Sequence, residues 1–176
     1  MARQQKGTAK SEAKSRPAHP LAEPGVQPQS SDPLVRDART DDLSALLALE
    51  AQFPGDRLSA RQFRHHLRSP RASLRVIEDG GIAGYSLLLR HAQRPAWRLY
   101  SIVVDPARRG RGLGAQLLQD AIDLASKAGA PALSLEVRED NPAALGLYRA
   151  HGFAQIALRP GYYDDGAAAV CLRRAL

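Results

Sequence analysis

Val103-Val104-Asp105-Pro106-Ala107-Arg108-Arg109-Gly110-Arg111-Gly112-Leu113-Gly114-Ala115 runs from the end of an apolar strand into the start of a helix. Glycines at 110, 112 and 114 let the backbone take positive φ and approach a ligand with no Cβ in the way. Successive N–H groups then point outward at a helix start whose dipole favours an anion, and Arg108, Arg109 and Arg111 add positive charge. The stretch therefore predicts a pyrophosphate cradle. A P-loop would need Gly-Lys-Ser/Thr where this chain has Gly114-Ala115-Gln116, which argues against triphosphate hydrolysis. Gly110-x-Gly112-x-x-Ala115 does fit a dinucleotide turn, with Glu136 as a candidate ribose acid. Against that rival, Asp105 to Arg109 separate the strand end from the first glycine, and too little chain follows for the second half of a doubly wound sheet. Coenzyme A carries both a pyrophosphate and a ribose phosphate and suits the arginines.

Outward from this loop the patterning alternates between strand and helix. Upstream, a short strand is expected near Leu34-Val35-Arg36, and Thr40 is the expected N-cap of a helix with Leu43, Leu46 and Leu47 as its apolar stripe. Ser59 and Gln62 have capping-box spacing and open a second helix to about Leu67. Asp79-Gly80-Gly81 between two apolar runs, 72–78 and 82–90, signals a hairpin, followed by a strand over 97–104. Downstream, a helix over 112–128 presents Leu113, Leu117, Ala121 and Leu124 on one face and ends at Gly129 and Pro131. A strand over 132–138 precedes Asn141-Pro142, an N-cap with proline at the first helical position, and a short helix ending before Gly152. Two strands near 153–158 and 168–173 close the chain. The order β α α β β β α β α β β is that of a single α/β domain with a mixed sheet.

The 176 residues, 44% hydrophobic and 24% charged, suffice for one domain with a real core. Residues 1–32 read as a disordered arm, rich in proline and free of aromatics, holding three of the four lysines; the folded domain is expected over 33–176. No apolar run approaches a membrane span, no apolar segment follows the charged N-terminus, and the single cysteine, Cys171, excludes an internal disulfide. A cytoplasmic protein is the expectation. The net charge of +7 keeps a polyanionic partner or the ribosome open, although 5% aromatic content argues against single-strand nucleic-acid binding by stacking.

From about Leu34 to the C-terminus, and most strongly from Tyr100 to Tyr163, the chain resembles a known family. Arg109-Gly110-Arg111-Gly112-Leu113-Gly114 is similar to the Arg/Gln-x-x-Gly-x-Gly/Ala acyl-CoA loop of the GNAT superfamily of N-acetyltransferases. Leu135-Glu136-Val137-Arg138, Asn141, Ala144, Leu147-Tyr148 and Gly152-Phe153 resemble the series Leu-Glu-Val-Arg, Asn-x-x-Ala, Leu-Tyr and Gly-Phe of its RimI-type ribosomal-protein N-terminal acetyltransferases. The resemblance implies a central mixed sheet flanked by about four helices, and acetyl-CoA as cosubstrate. It implies that Glu136 accepts a proton and Tyr148 donates one. It places Asn141 and the loop Arg109, Gly110, Arg111, Gly112, Leu113, Gly114 and Ala115 on the cofactor, with Ile102, Val103 and Val104 holding its acetyl end. The acceptor it implies is a protein N-terminus, that of a ribosomal protein included. One departure is plain: the family's Tyr-Tyr-x-x-Gly-Glu-Asp-Ala stands here as Tyr162-Tyr163-Asp164-Asp165-Gly166-Ala167-Ala168-Ala169, with both acids replaced.

The residues themselves agree with these roles while leaving alternatives. Glu136 stands between Leu135 and Val137 and so projects from the opposite strand face, where a carboxylate can serve as base or pair with an arginine. Tyr148 falls one turn after Ala144 and Leu145, a position also suited to core packing. A non-catalytic acyl-CoA or nucleotide sensor, an RNA-associated basic module, and a lysine or small-molecule acetyltransferase are the competing functions. No metal is expected: His65 and His66 are adjacent on a helix and point about 100° apart. Cys171 reads as a small core residue.

Overall fold

The computed structural model describes residues 32–53 and 57–176; apart from Asp32, the arm expected over 1–32 lies outside them. Seven strands form one mixed sheet in the order β1-β2-β3-β4-β5-β7-β6. They are β1 (Leu34–Asp37), β2 (Ala72–Glu78), β3 (Ile82–His91), β4 (Arg94–Val104), β5 (Ala132–Arg138), β6 (Ala154–Arg159) and β7 (Ala169–Ala175). Four helices accompany them: α1 (Leu43–Glu50), α2 (Ala60–Arg68), α3 (Leu113–Lys127) and α4 (Pro142–Ala150). The α/β order matches the expected one.

Local chemistry explains most boundaries. The Ser59 hydroxyl accepts from Gln62 N–H while the Gln62 side chain accepts from Ser59 N–H, the reciprocal cap that starts α2. Asn141 accepts from Ala144 N–H at 3.1 Å and Pro142 follows it, which starts α4. Thr40 is not the N-cap of α1. It opens a 3-10 turn over Thr40–Asp42, and the Asp42 carboxylate accepts from Arg39 N–H at 2.7 Å. Asp42 also takes two bonds from the Arg36 guanidinium, so its carboxyl is held below the usual carboxylate range. The buried stripe of α1 is Leu46 and Leu49, with Leu43 and Leu47 only partly covered. On α3 the buried face is Leu113, Leu117, Leu118, Ala121, Ile122 and Ala125, and Leu124 lies at its margin.

Leu46, Leu49 and Phe63 of α1 and α2 close on Val76, Tyr85 and Leu87 of the sheet, with the Phe63 and Tyr85 rings edge to face at 5.5 Å. A second cluster joins α3 to Leu88, Leu99, Leu133, Leu135, Phe153 and Leu172. Gly84 of β3 lies under α3: an added Cβ would stand 2.5 Å from the Val103 carbonyl oxygen and 3.3 Å from Leu117.

The sheet is interrupted at its centre. β4 and β5 are its one parallel pair, and they are matched only at Trp97↔Leu133 and Arg98↔Ser134. Just beyond, the β3–β4 register jumps from Leu88↔Leu99 to Leu87↔Ser101, leaving Tyr100 as a bulge. A bulge bends and twists its strand, so β4 turns away while β5 continues on β7 from Leu135 to Arg138. A V opens between the two strands.

Candidate active site

One side of the V is a groove of about 610 Å³. Ile102, Val103 and Val104 form one wall, Arg109, Gly110, Gly112, Leu113, Gly114 and Ala115 the mouth, and Asn141, Leu147 and Tyr148 the opposite wall. Gly110 and Gly112 hold φ of +78° and +76°, and Gly112 is the left-handed N-cap of α3. An added Cβ at Gly112 would meet nothing within 4 Å, so the space beside the loop is open. Gly114 differs from the expectation: it is an ordinary residue of the first turn, its missing Cβ facing Leu147 and Val104 at 3.7 and 3.8 Å. Among the described residues, no N–H from 110 to 115 has an acceptor in the chain; the first bonded one is Gln116, to Gly112. Six donors at a helix N-terminus beside an open groove fit a pyrophosphate.

The arginines divide their duties. Arg108 donates to the carbonyl oxygens of Asp79 and Gly81 and pairs with Asp105, and Arg111 pairs with Asp79. Both thus brace the loop against the β2–β3 hairpin, Arg108 through backbone carbonyl oxygens and Arg111 through a carboxylate far along the chain. Arg111 does not line the groove, while Arg109 does, with its guanidinium over the Phe53 ring at 5.7 Å.

Across β4 lies a second cleft of about 440 Å³, where Ser101 takes the place that Ile102 has on the groove side. Glu136 lines it. Its Oε2 accepts from Arg98 Nε at 2.8 Å, and Arg159 stands 3.6 Å from Oε1. Glu136 is therefore both the cleft's carboxylate and the arginine-paired strand charge. Tyr148 is packed edge to face on Phe153 at 5.8 Å, and burial, with a smaller push from Tyr163, raises its phenol to about 12. The two candidate catalytic side chains are not in one cavity: Glu136 faces the second cleft and Tyr148 the groove, with the V between them.

The cleft also holds residues the sequence reading missed. Glu50, buried at the end of α1, accepts from Tyr85 O–H at 2.5 Å and from Leu58 N–H at 2.6 Å, and Tyr85 O–H lies 3.3 Å from Ser101 Oγ. Burial and the neighbouring carboxylate push the Tyr85 phenol well up. A glutamate among leucines at a helix end was the available signal. Opposite, Tyr162 and Tyr163 are held by their N–H bonds to the Ala167 carbonyl oxygen, and Arg138 lies over Tyr163 at 4.8 Å.

Residues 40–153 match the acetyltransferase (GNAT) family model. The chain belongs to the GNAT acetyltransferase family. It is 40% identical over 139 residues, 76% of this chain and 86% of the relative, to the N-alpha-acetyltransferase RimI of Mycobacterium tuberculosis. An uncharacterised protein of Mycobacterium leprae is 37% identical over 163 residues; that match takes in 88% of this chain and spans 45% of the relative's length. The crystal structure of the ribosomal-protein-S18-alanine N-acetyltransferase of Escherichia coli is similar at a TM-score of 0.73 and 28% identity, over 82% of this chain and 94% of that one. The groove and the cleft lie on either side of the point where the central strands part.

Proposed function

We propose that this chain is an acetyl-CoA-dependent N-acetyltransferase that acts on the N-terminal α-amine of a protein, a ribosomal protein being the acceptor its relatives' names suggest. The carrying observation is the run of six N–H donors without acceptors, 110 to 115, beside an open groove whose far wall is Tyr148. In this reading residues 33–176 are the catalytic domain, and the free thiol of Cys171 suits a cytoplasmic setting.

The loop N–H groups and Arg109 hold the pyrophosphate, and Asn141 lines the path of the pantetheine arm. The edge of β4 facing the V lacks a strand partner beyond Arg98, so main-chain groups from 102 to 104 are free to orient the thioester carbonyl. Acetyl-CoA supplies the acyl group. Glu136, steadied by Arg98, accepts the proton of the incoming ammonium directly or through one water. The amine nitrogen then bonds to the carbonyl carbon, the carbon–sulfur bond breaks with its electron pair leaving on sulfur, and the second proton shed by the nitrogen passes to that thiolate, directly or through water. With its phenol near 12, Tyr148 lies about 3.5 pK units above a thiol of ordinary pKa near 8.5, an uphill transfer of roughly 5 kcal/mol. Tyr148 therefore serves the sulfur as a hydrogen-bond donor that keeps most of its proton. The acceptor follows from the same arithmetic: an α-amine near 7.7 to 8.0 is deprotonated at neutral pH for under about 1.4 kcal/mol, a lysine near 10.4 for roughly 4 to 5 kcal/mol.

Intact-mass analysis of peptides incubated with the protein and acetyl-CoA tests the reading, with one acetyl group expected at the N-terminus. At a hundredfold excess over its dissociation constant, acetyl-CoA should stabilise the protein by about 2.7 kcal/mol, a rise in Tm of roughly 5 to 10 °C. NAD should not, and Gly112→Val should abolish the rise. Glu136→Gln should cut kcat by roughly 10² to 10⁴ with the acetyl-CoA shift intact. Acetylation confined to lysine side chains or to small amines refutes the acceptor assignment, and a larger shift with NAD refutes the cofactor.

A further inference from the structure

α2 has two unlike faces. Phe63 is buried against the sheet, while Arg61, Arg64 and Arg68, one turn apart, are exposed on the outer side and line a hollow of about 570 Å³ with His65 and Ser69. His65 and Ser69 also border a trough of about 470 Å³ lined by Arg71, Arg90 and Arg94, so six exposed guanidinium groups share one continuous surface. Among the described residues none of the six is paired with a carboxylate. The chain explains why: residues 57–77 and 82–104, which build this side, hold nine arginines and no aspartate or glutamate. Arg75 and Arg98 are taken by Asp120 and Glu136 from elsewhere, Arg57 donates to the Phe53 carbonyl oxygen, and the other six face solvent. Arg90 also donates to the Pro70 carbonyl oxygen and lies over the Trp97 ring at 5.0 Å, which fixes its position without neutralising it. Most of an excess of +7 is thus gathered on one side of the molecule.

Such a surface calls for a partner with a dense row of anions. A protein partner would want an apolar centre to its interface, and the exposed large apolar side chains, Leu34, Tyr100, Ile156, Leu158 and Tyr162, all lie outside the two hollows. A single strand would want open aromatic rings to stack on, but the Trp97 ring is buried and covered by Arg90. A duplex backbone asks only for guanidinium groups, whose planar fork matches a phosphate with two bonds. At about 1.5 Å per residue, Arg61 to Arg68 span about 10 Å, a length over which one duplex strand offers about three phosphates. The trough's one carboxylate, Glu136, lies where it joins the acceptor cleft and is bonded to Arg98, so it leaves the outer arginines unopposed. We propose that this face docks on the phosphate backbone of double-stranded RNA. RNA is chosen over DNA because the acceptor is read as a ribosomal protein, and to that extent the inference rests on the proposed function. An RNA held there adjoins the acceptor cleft, so an N-terminus carried on the same RNA is presented at raised effective concentration.

The test is fluorescence anisotropy of a labelled RNA duplex of about 16 base pairs titrated with the full chain at several salt concentrations. With six phosphates neutralised, log Kd should rise with log salt at a slope of about 5. Arg64→Glu combined with Arg68→Glu should weaken binding at least about tenfold at 0.1 M salt and lower that slope by about two. Lys127→Glu combined with Arg149→Glu makes the same change of charge on α3 and α4, which pack on the opposite face of the sheet, and should shift Kd less than about twofold. An α2 reversal without effect overturns the inference, as does an equal loss from the α3 and α4 variant. A polyglutamate of equal charge that binds as tightly overturns it in favour of an acidic protein. N-terminal acetylation of a free neutral peptide is read separately: the α2 variant should match the wild type, and a wild type inert on every such peptide defeats the proposed function while leaving the RNA titration to be read on its own.

Discussion

Removing one oxygen atom from Tyr85 should cost this fold more than its size suggests. Tyr85→Phe keeps the ring and its edge-to-face contact with Phe63 but deletes the O–H that donates to Glu50 at 2.5 Å. Glu50 is 7% exposed and Tyr85 fully buried, so water does not readily replace the lost donor. A hydrogen bond to a charged group contributes about 1.5 to 3 kcal/mol, and here the carboxylate would keep only Leu58 N–H. For a domain of this size the expected fall in Tm is roughly 3 to 12 °C, read by calorimetry. Because Glu50, Leu58, Tyr85 and Ser101 share the wall of the acceptor cleft, acceptor KM should rise while acetyl-CoA affinity stays unchanged. A double-mutant cycle with Glu50→Gln isolates the bond, and its coupling energy should exceed about 1 kcal/mol. A loss below about 0.5 kcal/mol, with no coupling, would refute the claim that this pair anchors α1 to the sheet.

Asp42→Asn weakens two bonds from Arg36 and should cost about 1 to 3 kcal/mol at neutral pH. Because the folded Asp42 carboxyl titrates below its unfolded value, its stabilisation is complete above the unfolded pKa and is lost as pH falls through the folded one; urea unfolding should show the two proteins converging in acid. Gly84→Ala drives a Cβ into the Val103 carbonyl oxygen and should destabilise by about 1 to 3 kcal/mol in the same assay. Tyr148→Phe should lower kcat about a hundredfold with acetyl-CoA affinity unchanged, and the wild-type rate, levelling off near pH 8, should not decline by pH 10, since burial holds the phenol protonated to about 12.

Features written in short segments were legible in the sequence. The Asp79-Gly80-Gly81 hairpin, the Ser59 and Asn141 caps and the strand 132–138 each depend on residues within a few positions of one another, and each formed as expected. What escaped depends on partners far apart in the chain. Arg111 turns to Asp79 across 32 positions, and Glu50 meets Tyr85 across 35. Thr40 was a reasonable cap by type, but Asp42 had already been recruited by Arg36 and Arg39. The bulge at Tyr100 has no glycine or proline to announce it, since register follows from the fit of β4 to β3 and β5 together. The trough's charge was visible only as scattered arginines until the fold brought them onto one surface.

Two ladder pairs are all the sheet hydrogen bonding that stitches strands β1–β4 to β5–β7. Each side is an antiparallel sheet complete in itself, four strands and three, and the chain crosses between them once, through α3 and the residues 129–131. The molecule is thus built like a clasp whose halves share a greasy lining, α3 and its cluster, but little thread. A chain nicked after α3 should yield fragments that find each other again through that helix. Any ligand lying along the gap would act as a cross-brace, slowing amide exchange on both banks of the seam at once.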